Sequence, residues 1–121
     1  MLVVDDSKAM RMIILRSLRL IGVTDVEQAG NGREALLRLE TGPRPCAMLV
    51  DWHMPEMDGL ELVAAVRALP AFAAMKIVMV TTEAEINRVM SALEAGADEY
   101  ITKPFTEDVL KQKLELLGLL G

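Results

Sequence analysis

Three stretches decide the fold of this chain: Leu2-Val3-Val4-Asp5-Asp6, Ala47-Met48-Leu49-Val50-Asp51 and Tyr100-Ile101-Thr102-Lys103-Pro104. Each starts as a short strand-forming run and ends on charge. Short apolar runs without polar alternation read as strands buried on both faces, the pattern of a parallel sheet. In such a sheet, residues just past the carboxyl ends of the strands meet in one crevice. Three carboxylates, Asp5, Asp6 and Asp51, are thereby brought to one ammonium, Lys103, from distant parts of the sequence. Two carboxylates about 4 Å apart repel by roughly 4 kcal/mol at an effective dielectric of about 20. Three in one crevice call for a cation. A hard divalent ion such as Mg2+, which prefers oxygen ligands and keeps several waters, meets that need. The competing reading of Asp5-Asp6 alone is a helix start, where acids complement the helix dipole.

Between these strands the apolar residues recur at helical spacing. Ser7 is an N-cap for a helix with Met10, Ile13, Ile14, Leu18 and Ile21 inward, Arg11, Arg16 and Arg19 outward, and Gly22 at its end. Val26 to Ala29 is a short strand, Gly30-Asn31-Gly32 a turn, and Arg33 to Glu40 a helix with Ala35, Leu36 and Leu39 inward. Gly42-Pro43-Arg44-Pro45 breaks the chain before the strand that ends in Asp51. Asp58-Gly59 opens a helix carrying Leu60, Val63 and Val66, and Pro70 lies beyond its end. Ile77 to Val80 is a strand, and Ile86, Val89, Met90 and Leu93 form a helical stripe that Gly96 ends. Thr106 caps a last helix running through Leu117. Five strand–helix units with short, right-handed connections make one α/β domain over residues 1–121.

Composition narrows the class. A chain of 121 residues holds one core, and 52% hydrophobic residues suffice to cover both faces of a sheet. A formal net charge of -5 argues against a nucleic-acid surface. Cys46 is the sole cysteine, so no intramolecular disulfide exists and nothing points to secretion. No apolar run approaches the roughly 20 residues of a spanning helix, and Asp5 and Asp6 interrupt the N-terminal run that a signal peptide would need. The expectation is a cytoplasmic protein that binds neither membrane nor nucleic acid.

The chemistry converges on Asp51. A carboxylate can attack phosphorus and form an aspartyl phosphate. A metal screens the approach of one anion to another. Lys103 supplies a compact cation for a phosphoryl oxygen, and Thr81, just past Ile77–Val80, offers a hydroxyl to the same group. Taken singly, Lys103 is an ordinary loop lysine and Thr81 an ordinary strand-end threonine. Compatible chemistry at four strand ends is the stronger observation.

With these residues in place, the sequence resembles the response-regulator receiver domains, and among them the CheY-like chemotaxis regulators. The matching stretches are Val3-Val4-Asp5-Asp6, the run from Asp51-Trp52 through Met54-Pro55 and Met57-Asp58-Gly59-Leu60-Glu61-Leu62, Val78-Met79-Val80-Thr81 with Glu83-Ala84, and Lys103-Pro104-Phe105-Thr106. They run in order over essentially the whole chain. The resemblance implies a flavodoxin-like, doubly wound, five-stranded parallel sheet of order 2-1-3-4-5 with helices on both faces. It implies that Asp51 is the phosphoacceptor and that Asp6, Asp51 and the backbone carbonyl of His53 are direct Mg2+ ligands, with Asp5 acting through a metal-bound water. It assigns Thr81 and Lys103 to the phosphoryl group, Tyr100 to an aromatic switch that turns inward when Thr81 moves, and Lys103-Pro104 to a cis peptide. The output face, built by the fourth and fifth helices and the last strand, takes in Ile86, Val89, Tyr100 and Lys113.

Departures from the CheY-like pattern cluster at the crevice mouth and on that face. His53 stands where an asparagine-like residue is expected, Thr82 is bulkier than the usual alanine or glycine, and Ile86 is apolar where a lysine is expected. His53, Thr82 and Glu83 are therefore the residues expected to tune the lifetime of the phosphate, and Ile86 the one expected to alter the partner interface. The bland reading of His53 is an exposed loop histidine.

The function implied is a phosphorylation-activated switch of a two-component system, not an enzyme beyond self-phosphotransfer and autodephosphorylation. Its expected partners are a sensor histidine kinase as phosphodonor and a downstream target, with the flagellar motor switch as the chemotaxis candidate. The expected state is a monomer or a weak phosphorylation-dependent dimer. The alternative is a receiver excised from a larger regulator, such as a transcription factor or signalling enzyme. An aspartate-dependent phosphatase fits less well, because those enzymes want Asp-x-Asp after the first strand and this chain has Asp5-Asp6-Ser7. A flavin protein fits poorly, since Asp5 and Asp6 would repel a flavin phosphate.

Overall fold

The computed structural model describes residues 1–54, 56–82 and 88–120. Its five strands are β1 (Leu2–Val4), β2 (Glu27–Ala29), β3 (Ala47–Asp51), β4 (Lys76–Thr82) and β5 (Glu99–Lys103). They form one parallel sheet of order β2-β1-β3-β4-β5. The helices are α1 (Lys8–Leu20), α2 (Gly32–Thr41), α3 (Gly59–Arg67), α4 (Val89–Ala95) and α5 (Glu107–Leu116). This is the flavodoxin-like receiver architecture. No helix among the described residues is long and apolar enough to cross a membrane.

Strand alternation divides the core in two. Leu2, Val4, Met48, Val50, Ile77 and Met79 point to one side and pack with buried residues of α2, α3 and α4. Val3, Leu49, Val78, Val80 and Ile101 point to the other and meet Ile14 and Leu18 of α1 and Leu110 and Leu114 of α5. Each fully buried aliphatic side chain contributes about 1.5–3 kcal/mol, in keeping with the wholly apolar runs 2–4, 47–50 and 77–80 in the middle strands.

The helix starts follow local chemistry. Ser7, Asn31 and Thr106 each accept a hydrogen bond from a first-turn amide, and Asp58 forms a reciprocal capping box with Glu61. Pro70 opens a short 3-10 turn, Pro70–Phe72, rather than merely following α3.

Two helical stripes are narrower than their spacing suggests. On α1, Ile14 and Leu18 are buried, but Ile13 is 56% exposed. That helix shares its side of the sheet with α5, so it has room to bury only a thin stripe. On α4, Val89 and Ala92 face inward while Met90 is 64% exposed and Leu93 lies outside. Leu60 of α3 is only partly buried, and Leu62 takes the fully buried position. Ile86 and Glu83 lie outside the described residues.

Candidate functional site

Parallel pairing carries the charged residues to one end of the sheet. Asp51 closes β3 opposite Val80, Thr81 of β4 lies opposite Thr102, and Thr82 lies opposite Lys103 of β5. Asp5 follows β1 directly, and its amide donates to the carbonyl of Ala29 at 3.1 Å, extending the β1–β2 ladder by one bond. Gly59 lets α3 begin against β3, because a Cβ there would lie 2.5 Å from the Asp51 carbonyl oxygen.

The acids are packed together. Asp5, Asp6 and Asp51 each offer a carboxylate oxygen, and those oxygens all lie within 4.8 Å of one another. Asp5 is 1% exposed and Asp51 9%, whereas Asp6 is open to solvent. Lys103 bridges the two buried acids, its Nζ at 2.9 Å from Asp51 Oδ1 and 3.4 Å from Asp5 Oδ2. Asp5 Oδ1 also accepts from the Ser7 amide at 2.8 Å.

Burial pushes the Asp51 carboxyl above its ordinary range, and Asp5 and Asp6 add to that push, while Lys103 opposes it. Burial is the largest single influence on Lys103 and works against its charge, but the hydrogen bonds and the attraction from Asp51 and Asp5 together outweigh it, and the ammonium is held above the ordinary lysine value. One ammonium therefore faces three acids. With all ionised, a formal charge of three minus one leaves two negative charges in the crevice. Hard oxygen donors with uncompensated charge are the donor set a hard divalent cation takes, so these residues fit a metal.

Other expected residues fall around this cluster. Thr81 is 1% exposed, and its hydroxyl donates to the Thr82 carbonyl at 3.3 Å, a long local contact. The Lys103-Pro104 bond is cis. His53 and Thr82 are both exposed. Trp52, next to Asp51, is buried in the α2–α4 side of the core. The β3–α3 loop holds Glu56 at φ 68, in the left-handed region, an uncommon geometry for a side-chain-bearing residue.

Away from the crevice, Tyr100 on edge strand β5 is half-buried, with the Lys113 ammonium 4.8 Å from its ring centroid. Lys113 also pairs with Glu99 at 3.1 Å. Tyr100, Thr102, Phe105, Val109 and Lys113 line one shallow pocket. Val89 is buried at 8% exposure, so it packs α4 against the core instead of presenting a contact surface. Arg11 was missed from the sequence: the spacing places it outward, yet its guanidinium turns in and donates to the Asp5 carbonyl at 2.6 Å. Periodicity carries no signal for a long cationic side chain that bends back along its helix.

Comparison with known proteins agrees with this geometry. The model of the response regulator receiver domain matches residues 1–115. The chain is 47% identical over 117 residues to the chemotaxis protein CheY1 of Helicobacter pylori, covering 97% of this chain and 94% of that protein. It is 50% identical over 115 residues to the chemotaxis protein CheY homolog of Campylobacter jejuni, covering 95% and 88%. Among solved structures, the chemotaxis response regulator CheY4 of Vibrio cholerae superposes with a TM-score of 0.86 at 34% identity, covering 96% of this chain and 95% of that one. The chain belongs to the response regulator receiver domain family, and is a phosphorylation-activated switch of the two-component type.

Proposed function

We propose that Asp51 is the phosphoacceptor of this switch and that a phosphohistidine of a sensor kinase is its donor. A carboxylate oxygen of Asp51 attacks phosphorus, the P–O bond forms as the P–N bond breaks, and the departing imidazole nitrogen keeps the electron pair and takes up a proton. Asp6, Asp51 and the His53 backbone carbonyl would hold Mg2+, with Asp5 acting through a bound water. When bound, Mg2+ supplies charge neutralisation that lets two anions approach.

The observation that carries this reading is Lys103 lying between Asp51 and Asp5, at 2.9 and 3.4 Å, beside a third acid. Once Asp51 carries the phosphoryl group, Lys103 follows the charge onto a phosphoryl oxygen, a point cation suited to that role. Thr81 gives up a weak local contact for the same group. A modification carrying about -1.5 to -2 charges draws both residues, and their movement is relayed to Tyr100. To turn a roughly 1:99 equilibrium into 99:1 takes about 5.5 kcal/mol of differential interaction. Charge-assisted hydrogen bonds of about 1.5–3 kcal/mol supply a large part of it.

The output face comprises α4, β5 and α5, with Tyr100 and Lys113 at the pocket they line. Relatives named as chemotaxis proteins favour a role in chemotaxis, with the flagellar motor switch as the downstream partner. The chain acts inside the cell as a switch whose only chemistry is its own phosphorylation and dephosphorylation, as a monomer or a weak dimer once phosphorylated.

Incubation with a small acyl phosphodonor and Mg2+, read by intact mass, tests the assignment. Wild type gains one phosphoryl group and loses it on standing, and Asp51→Asn gains none. A full mass increase in Asp51→Asn refutes it.

A further inference from the structure

The inward turn of Arg11 bears on the site itself. Arg11 is half-buried, whereas Arg16 and Arg19 of the same helix are exposed. Its Nη1 donates to the main-chain carbonyl of Asp5 at 2.6 Å, and its Nε donates to Oε1 of Gln28 on β2 at 3.1 Å. A guanidinium bond at that distance is charge-assisted and stronger than a neutral one. The carbonyl it grips belongs to the peptide joining Asp5 to Asp6, and the plane of that peptide sets the direction in which Asp6 leaves the chain.

Asp5 and Asp6 differ in what holds them. The Asp5 amide bonds Ala29, and its carboxylate accepts from Ser7 and Lys103. Among the described residues, no hydrogen bond or ion pair reaches the Asp6 carboxylate, which is exposed. The aim of Asp6 is therefore set through its backbone, and Arg11 is the tether on that backbone.

We propose that Arg11 is a positioning residue for the metal-holding acids: its guanidinium fixes the Asp5–Asp6 peptide so that Asp6 faces Asp51 across the crevice before a cation arrives. The proposal rests on the reading of Asp5, Asp6 and Asp51 as an Mg2+ site.

Charge alone gives the opposite forecast. Deleting a cation beside an acidic site strengthens the attraction of that site for Mg2+. Loss of positioning weakens it, and the sign of the change separates the two. Arg11→Met removes both charge and fork while keeping an apolar stem, and Arg11→Lys keeps the charge without the planar fork. Calorimetric titration with MgCl2, with Trp52 fluorescence as a second readout, should show Arg11→Met binding about 10-fold more weakly than wild type, the usual size of an outer-shell loss. Arg11→Lys should fall between, and Gln28→Ala, which loses only the Nε contact, should stay close to wild type. Urea unfolding in chelator measures the fold separately. A lowered unfolding midpoint with unchanged or tighter Mg2+ binding in both Arg11 variants overturns the proposal. If Arg11→Met does not fold, Arg11→Lys decides: weaker binding supports it, and wild-type binding overturns it. Absence of Mg2+ binding in wild type overturns the site reading itself, and the role of Arg11 with it.

Discussion

The two ends of the sheet each carry a close cation–carboxylate pair, and the pairs behave differently. At the carboxyl end, Lys103 meets Asp51 at 2.9 Å with side chains 17% and 12% exposed. At the amino end, Arg67 meets Asp98 at 2.8 Å with side chains 18% and 29% exposed. Length barely distinguishes them, although Asp51 is buried and Asp98 is not. Their surroundings distinguish them. The Arg67 guanidinium also donates to the carbonyls of Gly96, Phe72 and Ala73, and Asp98 accepts from the Ile77 amide, so charges and donors balance. Gly96 sits at φ +119 directly against the Arg67 stem, where a Cβ would come within 2.5 Å. That end is a clamp joining α3, the 3-10 turn, β4 and the end of α4. The crevice end has one ammonium for three acids, and the nearby Arg11 donates to a backbone carbonyl and not to a carboxylate, so the carboxylates there outnumber the cations that pair with them. A buried ion pair marks a functional site when its neighbourhood is left unbalanced, not when it is short.

The largest expected effect breaks the clamp. Arg67→Ala removes the bond to Asp98 and the bonds to three backbone carbonyls and should lower stability by about 3 kcal/mol, at roughly 1 kcal/mol for each bond lost. Mg2+ should not restore it, and the folded fraction should still accept phosphate. Urea unfolding with and without Mg2+ checks both statements.

Lys103→Ala should behave in the opposite way. In chelator it should cost about 1–3 kcal/mol, because two buried carboxylates lose their donor. Saturating Mg2+ should recover much of that loss by supplying the missing charge. The variant should still take up phosphate to some degree but fail to shift Tyr100. A full wild-type NMR response at Tyr100 in phosphorylated Lys103→Ala would show that the lysine does not couple site to surface.

A pH series sharpens the comparison further. The Asp51 carboxyl is raised, chiefly by burial, so the folded state holds its proton more tightly than the unfolded chain. The resulting stability is complete below the ordinary carboxylate value and is lost as pH climbs through the raised value of Asp51. In chelator, Asp51→Asn should therefore exceed wild type in stability at neutral pH, with the gap closing as pH falls into the acid range. Lys103 retains its contact to Asp5 in that variant. Equal stability of the two proteins at neutral pH would mean that the lysine fully compensates the burial. For the same reason Mg2+ should bind wild type less well as pH drops and protons compete for Asp51.

The smallest effect concerns the crevice mouth. His53 and Thr82 are exposed there, where water must enter to cleave the acyl phosphate. Decay of phosphorylated wild type should be slow, and His53→Asn should change its rate by up to about 10-fold, or about 1.4 kcal/mol in the barrier. Identical rates and pH profiles would leave His53 a plain loop residue.

Much of this was legible in the sequence because the informative residues are local. Ser7, Asp58 and Thr106 cap the helices that the spacing assigns to them, and the strand runs at 2–4, 47–50 and 100–102 each fall within one observed strand. Asp5, Asp6, Asp51 and Lys103 meet because parallel strands leave their ends on one edge. What escaped depends on neighbours. Ile13 and Met90 satisfy helical periodicity, but α1 shares its side of the sheet with α5, and the inward face of α4 is occupied by Val89 and Ala92. Asn31 reads as a turn residue and serves as a cap, because a turn into a helix uses the same side-chain acceptor. The bends of Arg11 and Arg67 follow from the carbonyls they find, which no periodicity encodes.

The most direct test compares the two ends within one molecule. Backbone amide NMR spectra of wild type in Mg2+, before and after phosphorylation by a small phosphodonor, report both. Large shifts are expected at Asp5, Asp6, Asp51, Thr81 and Tyr100, with Arg67, Ile77 and Asp98 nearly unmoved. A silent crevice, or a clamp that shifts as much as the crevice does, would mean that the two ends do not differ in this way.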